Sequence, residues 1–129
     1  MNIHVKASHS GFAYKDILRG VSAKSVLQLI DSGTLTREDV FRLIPERTFM
    51  RRVAEDALLR IEEADAIARL LRVFDTALWA LGDAVKAKLF MDSANAALDG
   101  HVPRVLAATD AGAREIEGLL HRFVFGDVG

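Results

Sequence analysis

The chain contains no cysteine among its 129 residues. This absence excludes disulfide bonds, catalysis by a thiolate and zinc sites built from cysteine. Long apolar runs are also absent, and no stretch approaches the roughly 18 uninterrupted apolar residues that a membrane-spanning helix needs. The N-terminal stretch MNIHVKASHS has no basic start followed by an apolar run, so no secretory signal peptide is expected. Together these absences predict a soluble cytoplasmic protein.

Sequence patterns typical of catalytic sites are absent as well. The chain has no HExxH motif, no P-loop, no GxGxxG and no serine in a glycine-rich nucleophile elbow. Acidic residues at Glu62 and Glu63 begin a predicted helix, where they stabilise the positive end of the helix dipole. Glu115 and Glu117 are two residues apart, so on a helix they point to different faces and form no acid/base pair. We therefore expect no enzyme activity, no cofactor and no metal site.

The composition is that of a folded protein with an uneven charge distribution. Half of the residues are hydrophobic, which is enough for a core, and the length fits one domain or two small lobes. The formal net charge is -1. Residues 1–53 hold nine Lys/Arg against five Asp/Glu, whereas residues 54–129 hold eight against thirteen. A basic N-terminal part and an acidic C-terminal part favour two surfaces with different partners. The alternative is that the charges are distributed by chance.

Apolar periodicity and capping residues predict an all-α fold. Ser22 and Thr36 each precede an apolar helical pattern and are suited to cap helices over residues 22–32 and 36–43. Apolar residues at heptad-like spacing over 61–81 predict a spine helix roughly 30 Å long. A short helix is expected after the spine helix, from Asp83 to Met91, with Val85, Leu89 and Phe90 as its apolar residues. Trp79 lies at the border of the spine's apolar stripe, where it either covers the edge of the core or belongs to a second buried surface such as a dimer contact.

A helix-turn-helix outline is predicted from the Thr36 helix to a following helix over residues 45–54. Pro45 suits the first helical position because its φ is fixed and its N–H is missing. Arginines on this second helix can bind guanine edges or phosphates, and threonine can donate to phosphate. The alternative is an arginine-rich surface helix without DNA, and Glu46 in its first turn would repel phosphate. Since one copy would bind weakly, DNA binding implies a dimer or higher assembly. The candidate DNA-binding residues are Arg47, Thr48, Arg51 and Arg52.

The C-terminal stretch carries a turn, a one-turn helix opened by Pro103, a second cap and a regular helix. The last helix has one predicted apolar face, formed by Ile116, Leu119, Leu120 and Phe123. The chain then continues as an apolar, glycine-bounded stretch from Phe125 to Gly129. Such a stretch either packs on its own domain or serves as a plug for a pocket of another protein.

The C-terminal stretch resembles the toxin-binding domain of Xre/MbcA/ParS-type antitoxins. The likeness rests on NAALDGHVP over 95–103, LAAT over 106–109 and GAREI over 112–116, followed by Leu-Leu and Phe-Gly. The family pattern is close to NPALGGRTPLDLLATEAGAREVEDLL. In the front half, SAKSVLQLIDSG and PERTFMRR are similar to the Xre helix-turn-helix half of the same antitoxins. The likeness covers about Val21 to Gly126.

The resemblance implies a type II antitoxin with a helix-turn-helix region over residues 1–60 and a toxin-binding domain over 61–129. The implied partner is a RES-domain toxin that depletes NAD and is inhibited by occlusion of its active site. The implied pair represses its own operon by binding operator DNA as a homodimer or higher assembly. A stand-alone helical DNA-binding regulator or adaptor without a toxin is the alternative. The toxin-binding residues carried over by position are Asn95, Leu98, Gly100, Pro103, Gly112, Glu115, Phe125, Gly126, Asp127, Val128 and Gly129.

Several positions depart from the family pattern. Ala96 stands in place of a proline, Asp99 in place of a glycine and His101 in place of a basic residue, so the turn before Pro103 is expected to be built differently. Glu46 stands where the family tends to be basic, and the turn before the second helix looks one residue short.

Overall fold

The computed structural model describes residues 12–126, and this part of the chain is all-α, as predicted. It forms eight α-helices and one short 3-10 helix, with no β-strand. None of the described helices combines the length and the apolar character needed to cross a membrane. The α-helices are α1 (Tyr14–Arg19), α2 (Ala23–Asp31), α3 (Arg37–Leu43), α4 (Glu46–Ala54), α5 (Ile61–Leu81), α6 (Ala84–Asp92), α7 (Pro103–Leu106) and α8 (Asp110–Phe125), and the 3-10 helix is Ala96–Leu98.

The predicted helix starts are built by side chains that cap backbone N–H groups. Ser22 Oγ accepts from the N–H of Ser25 at 3.1 Å. Thr36 Oγ1 accepts from the N–H of Asp39 at 3.0 Å, and the Asp39 carboxylate accepts from the N–H of Thr36 at 2.9 Å, which completes a capping box. Asp83 caps α6 through a bond from the N–H of Lys86. These caps confirm that the local sequence determines where the helices begin.

Two local predictions in the front half were wrong. Pro45 has φ -52° and ψ 138°, and this ψ is not helical. Pro45 therefore occupies the N-cap position, and α4 begins at Glu46 rather than at the proline. The sequence also predicts that residues 55–60 are only a polar connection between helices, but Leu59 is buried and its N–H donates to the carbonyl of Val21 at 2.8 Å. Ser22 and Leu58 form an isolated antiparallel bridge beside this bond. No alternating pattern in so short a segment signals such a contact.

The described chain divides into two compact units, residues 12–68 and 69–126, and the division falls inside α5. In the first unit, α4 packs against α2 and α3. The ring of Phe49, which is fully buried, meets Phe41 edge-on at 6.0 Å between centroids. The other large side chains that are fully buried in this unit are Val26, Leu35, Val40, Ile44 and Ile67.

In the second unit, α8 packs against α7 and the 3-10 helix, and α6 packs against α7. Val73 is fully buried, so the buried face of the spine helix is wider than the sequence predicts. The predicted apolar stripe consists of Ile67, Leu70, Leu71, Phe74, Ala77, Leu78 and Leu81. Ile116 and Leu120 of the predicted α8 face are buried, but Phe123 is 65% exposed. The buried face of α8 therefore ends at Leu120. The other large side chains that are fully buried in this unit are Leu70, Leu71 and Met91.

Candidate functional site

Asn95 organises the turn that precedes α7. Its side-chain oxygen accepts from the N–H of Ala97 at 2.9 Å and caps the 3-10 helix. Its carbonyl accepts from the N–H groups of Leu98 at 2.9 Å and Gly100 at 2.8 Å, while its own N–H donates to His101 at 3.1 Å. Leu98 is buried and anchors the turn to the core. Three of the predicted toxin-binding residues, Asn95, Leu98 and Gly100, thus lie together and shape the backbone.

The same turn contains two consecutive residues with left-handed backbone. Asp99 has φ 57° and Gly100 has φ 81°. A Cβ at Gly100 would meet no atom within 4 Å, so the backbone conformation, rather than lack of space, favours glycine there. Asp99 keeps the left-handed conformation although the family pattern has glycine, and aspartate tolerates it better than most residues do. The substitution therefore leaves a local strain in the turn.

Pro103 and Arg104 fix α7 in place. Pro103 is buried at the first position of α7, as predicted. The Nε of Arg104 donates to Asp92 at 2.8 Å, and its guanidinium lies 4.8 Å from the centroid of the Phe74 ring. Burial raises the pKa of Asp92, but hydrogen bonds from Lys88 and Arg104 lower it by more. The pKa therefore lies below its ordinary value of 3.8. These contacts join α5, α6 and α7 within the second unit.

Gly112 allows the first turn of α8 to lie against the end of α7. A Cβ at this position would lie 2.0 Å from the carbonyl oxygen of Leu106. The N–H of Gly112 donates to the side chain of Thr109 at 3.0 Å, which caps α8. The glycine of the GAREI run is therefore required by packing inside this chain. Its position is buried, so it offers no surface to a partner.

The remaining described members of the predicted toxin-binding set are exposed. Glu115 lies on the outer face of α8, and Phe125 is 66% exposed. Phe125 is the last residue of α8, so it is not part of a free tail, and Gly126 ends the helix with φ 72°. Asp127, Val128 and Gly129 lie outside the described residues. The predicted set thus divides into residues that shape the fold and residues at the end of α8 that face solvent.

Three rings meet where α5 and α8 lie side by side, and we call Trp79, His121 and Phe125 the aromatic cluster. Ring centroids are 5.3 Å apart for Trp79 and His121, and 6.0 Å apart for Trp79 and Phe125. His121 and Phe125 stack at 6.2 Å. Trp79 remains 41% exposed, so it presents part of its ring to solvent. The contacts hold three partly or largely exposed rings in one place.

A salt bridge between α5 and α8 lies one helical turn from the aromatic cluster, on the N-terminal side of His121. Arg72 Nε donates to Glu117 at 2.8 Å, and a second guanidinium nitrogen donates to the other carboxylate oxygen at 3.3 Å. His121 Nδ1 lies 2.8 Å from the carbonyl oxygen of Glu117. Because the bidentate pair joins α5 to α8, it fixes the two helices that carry the rings.

On α4, Arg47 and Arg51 lie one turn apart and are exposed. Thr48 is partly buried beside them. Arg52 instead makes an ion pair with Glu63 of α5, and both side chains are only 15% exposed. The structure thus brings Arg47 and Arg51 together on one face and gives Arg52 a partner within its own unit.

Comparison with known proteins shows a likeness to one family of antitoxins. Residues 76–126 match the antitoxin Xre/MbcA/ParS C-terminal toxin-binding domain. Two curated relatives named antitoxin Xre are also similar. The one from Yersinia enterocolitica is 29% identical over 127 residues, covering 96% of this chain and 86% of the relative. The one from Pseudomonas putida is 27% identical over 110 residues, covering 85% of this chain and 69% of the relative. The C-terminal part of the chain is thus similar to the toxin-binding domain of Xre/MbcA/ParS antitoxins, and most of the chain is similar to proteins named antitoxin Xre.

The matched segment contains most of the features of the second unit described above, although Arg72 and Phe74 of α5 precede it. It begins at Thr76, shortly before Trp79, and ends at Gly126, so it includes the turn, Gly112 and the aromatic cluster. In this chain, the residues that match the family pattern are largely ones that the fold needs. Sequence reasoning missed the meeting of Trp79 with His121, since it joins helices that are far apart along the chain. The border position of Trp79 and the four-residue spacing of His121 and Phe125 were the available signals.

Proposed function

We propose that this chain is the cytoplasmic antitoxin of a type II toxin-antitoxin system that binds a RES-domain toxin and occludes its active site. The toxin depletes NAD, and the chain counteracts it by binding, without catalysis or a cofactor. The observation that supports this proposal is the match of residues 76–126 to a toxin-binding domain. The turn at Asn95, Pro103 at the start of α7 and the close approach at Gly112 are the features that such a domain would keep if it remains functional.

Occlusion is assigned to the end of α8 and the residues that follow it. Phe125 is exposed and held by Trp79 and His121, and the helix ends at Gly126. An apolar side chain at a fixed position is suited to enter a pocket, because little of its freedom remains to be lost on binding. We assign residues 125–129 to the entrance of the toxin's active site, and Glu115 to its rim.

Co-expression tests the proposal. The tagged full-length chain is produced together with an inactive variant of the proposed RES-domain toxin, and the retained protein is measured after purification. We expect stoichiometric retention by the full-length chain. A variant that ends at Phe125 keeps α8 whole, so we expect it to retain the toxin more weakly and to lose inhibition. Failure of the full-length chain to retain the RES-domain protein would refute the proposed function.

A second proposed activity is repression of the chain's own operon by a homodimer or higher assembly. Arg47 and Arg51 are exposed on one face of α4 with Thr48 beside them, and they are proposed to contact operator DNA. Arg52 is left out of this set, because its ion pair with Glu63 gives it a structural role. The partners of the assembly would then be operator DNA and the toxin.

Mobility shifts with the DNA upstream of the gene test this second activity. Arg51→Ala should weaken binding and reduce the salt slope by about one unit if the residue contacts one phosphate. Arg114→Ala is the matched control, since it removes an exposed arginine of α8 in the other unit. Equal binding by the Arg51 variant, the control and the unmodified chain would refute the assignment. DNA binding without retention of a toxin would favour a stand-alone regulator or adaptor.

A further inference from the structure

The aromatic cluster places apolar rings in solvent at a fixed position. Trp79 is 41% exposed and Phe125 is 66% exposed, although both contact other rings. Rings at an exposed but rigid position lose little conformational freedom when a partner covers them, and tryptophan is common among the residues that dominate binding. The cluster therefore has the properties of a docking surface.

His121 adds one hydrogen-bond acceptor, Nε2, to the aromatic cluster. Its Nδ1 lies 2.8 Å from the carbonyl oxygen of Glu117, and a carbonyl only accepts, so Nδ1 carries the hydrogen of this bond. In the neutral ring the other nitrogen, Nε2, is then a bare acceptor. A partner that covers the cluster would complement it with one hydrogen-bond donor in an otherwise apolar pocket.

The charge around the cluster indicates the class of partner. Arg72 and Glu117, whose pair lies one turn from His121, neutralise each other through two hydrogen bonds, and Arg122 is an exposed cation beside the cluster on α8. A nucleic acid would need several cationic groups beside the rings to hold its phosphates, whereas residues 54–129 hold eight Lys/Arg against thirteen Asp/Glu. A protein with an apolar pocket fits the surface better.

The position of the aromatic cluster along the chain favours a toxin as the protein that covers it. All three rings lie in the segment that matches a toxin-binding domain, and Phe125 is the residue from which the chain continues into 126–129. A toxin held at the cluster would have the last residues of the chain next to its surface, where occlusion requires them. Docking and occlusion would then be adjacent parts of one interface.

We propose that the aromatic cluster is the anchor on which the RES-domain toxin docks, with a toxin pocket receiving the rings of Trp79 and Phe125 and donating to Nε2 of His121. This inference rests on the proposed antitoxin function. It adds Trp79 and His121, which the family pattern does not single out, to the binding surface.

The sole tryptophan of the chain supplies a direct probe. The full-length chain labelled with 5-fluorotryptophan gives a single fluorine resonance, and the probe added is an inactive variant of the proposed RES-domain toxin. We expect the resonance to shift and to lose its solvent isotope effect on binding. Dissociation constants are measured in parallel for Phe125→Ala and His121→Ala.

The variants are compared with Phe123→Ala as a matched control. Phe123 has 65% exposure against 66% for Phe125, but no ring contact with the cluster, and it lies two positions away on a different face of α8. We expect Phe125→Ala to weaken binding by at least about 30-fold, as a dominant contact would, and Phe123→Ala by less than about 3-fold. His121→Ala should lie between them, and circular dichroism verifies that each variant keeps its helix content.

The outcomes separate the inference from the function on which it rests. If the full-length chain binds the RES-domain protein but the fluorine resonance stays unchanged and Phe125→Ala binds as tightly as the control, the docking surface is wrong and the antitoxin function stands. If the full-length chain does not bind, the proposed function itself fails. A resonance that moves with the concentration of the chain alone would show that a second copy covers the cluster, which also overturns the inference.

Discussion

Replacing Gly112 with alanine should destabilise the second unit, although alanine is the better helix former. The added Cβ would lie 2.0 Å from the carbonyl oxygen and 2.8 Å from the carbonyl carbon of Leu106, whereas real Cβ contacts are essentially never shorter than 3.0 Å. The start of α8 and the end of α7 would therefore have to separate by about 1 Å. The N–H of Thr109 already lies 3.3 Å from the carbonyl of Leu106, so the separation would also stretch this bond.

The expected magnitude follows from two opposing effects. Overpacking costs about 1–3 kcal/mol, and the upper end applies because a backbone oxygen cannot rotate away. The helix preference of alanine offsets at most about 1 kcal/mol. We expect a net loss of about 2 kcal/mol in the free energy of unfolding, which corresponds to a fall of roughly 6 °C in Tm for a chain of this length.

Gly118→Ala is the matched control on the same helix. A Cβ there would meet only the guanidinium of Arg122 at 3.4 Å, which is an ordinary contact with a flexible side chain. This variant should gain about 0.5–1 kcal/mol from helix propensity alone. Urea denaturation followed by circular dichroism measures both variants. If Gly112→Ala proves as stable as Gly118→Ala, the close approach of α7 to α8 is refuted.

Three further predictions use the same denaturation assay. Asp99→Gly should raise the free energy of unfolding by about 0.5–1 kcal/mol by relieving the left-handed strain, and a loss would contradict that reason. Arg52→Ala should cost about 2 kcal/mol because its glutamate partner is left half-buried, whereas Arg51→Ala should change stability by less than about 0.5 kcal/mol; equal effects would show that the ion pair is unimportant. The pKa of Asp92 is lowered in the folded chain, so its carboxylate stabilises the fold above the ordinary value of 3.8 and loses this effect as the pH falls through the lower folded value. Asp92→Asn should therefore weaken the fall in stability between about pH 5 and pH 3, and an unchanged pH profile would contradict the proposed role of the carboxylate.

The helix starts and the spine helix could be predicted because their causes are local. A capping side chain and the N–H that it accepts lie within three residues, as at Ser22, Thr36 and Asp83. The spine helix was predicted at residues 61–81 and is observed as Ile61–Leu81, since its apolar repeat is long enough to outweigh local ambiguity.

The candidate site was less predictable because its contacts join distant parts of the chain. Nothing near Arg52 shows that it pairs with Glu63, and nothing near Trp79 shows that His121 lies against it. The family pattern named Gly112 and Leu98 as binding residues, and only the packing shows that the fold itself needs them. A pattern shared by a family does not separate residues that build a domain from residues that touch its partner.

The most direct test of antitoxin function measures the NAD concentration in cells that produce the proposed RES-domain toxin. The toxin is produced alone, with the full-length chain, or with the variant that ends at Phe125. Antitoxin function predicts that NAD falls with the toxin alone, is maintained by the full-length chain and falls again with the truncated variant. An equal fall of NAD with and without the full-length chain, at matched toxin levels, would contradict it.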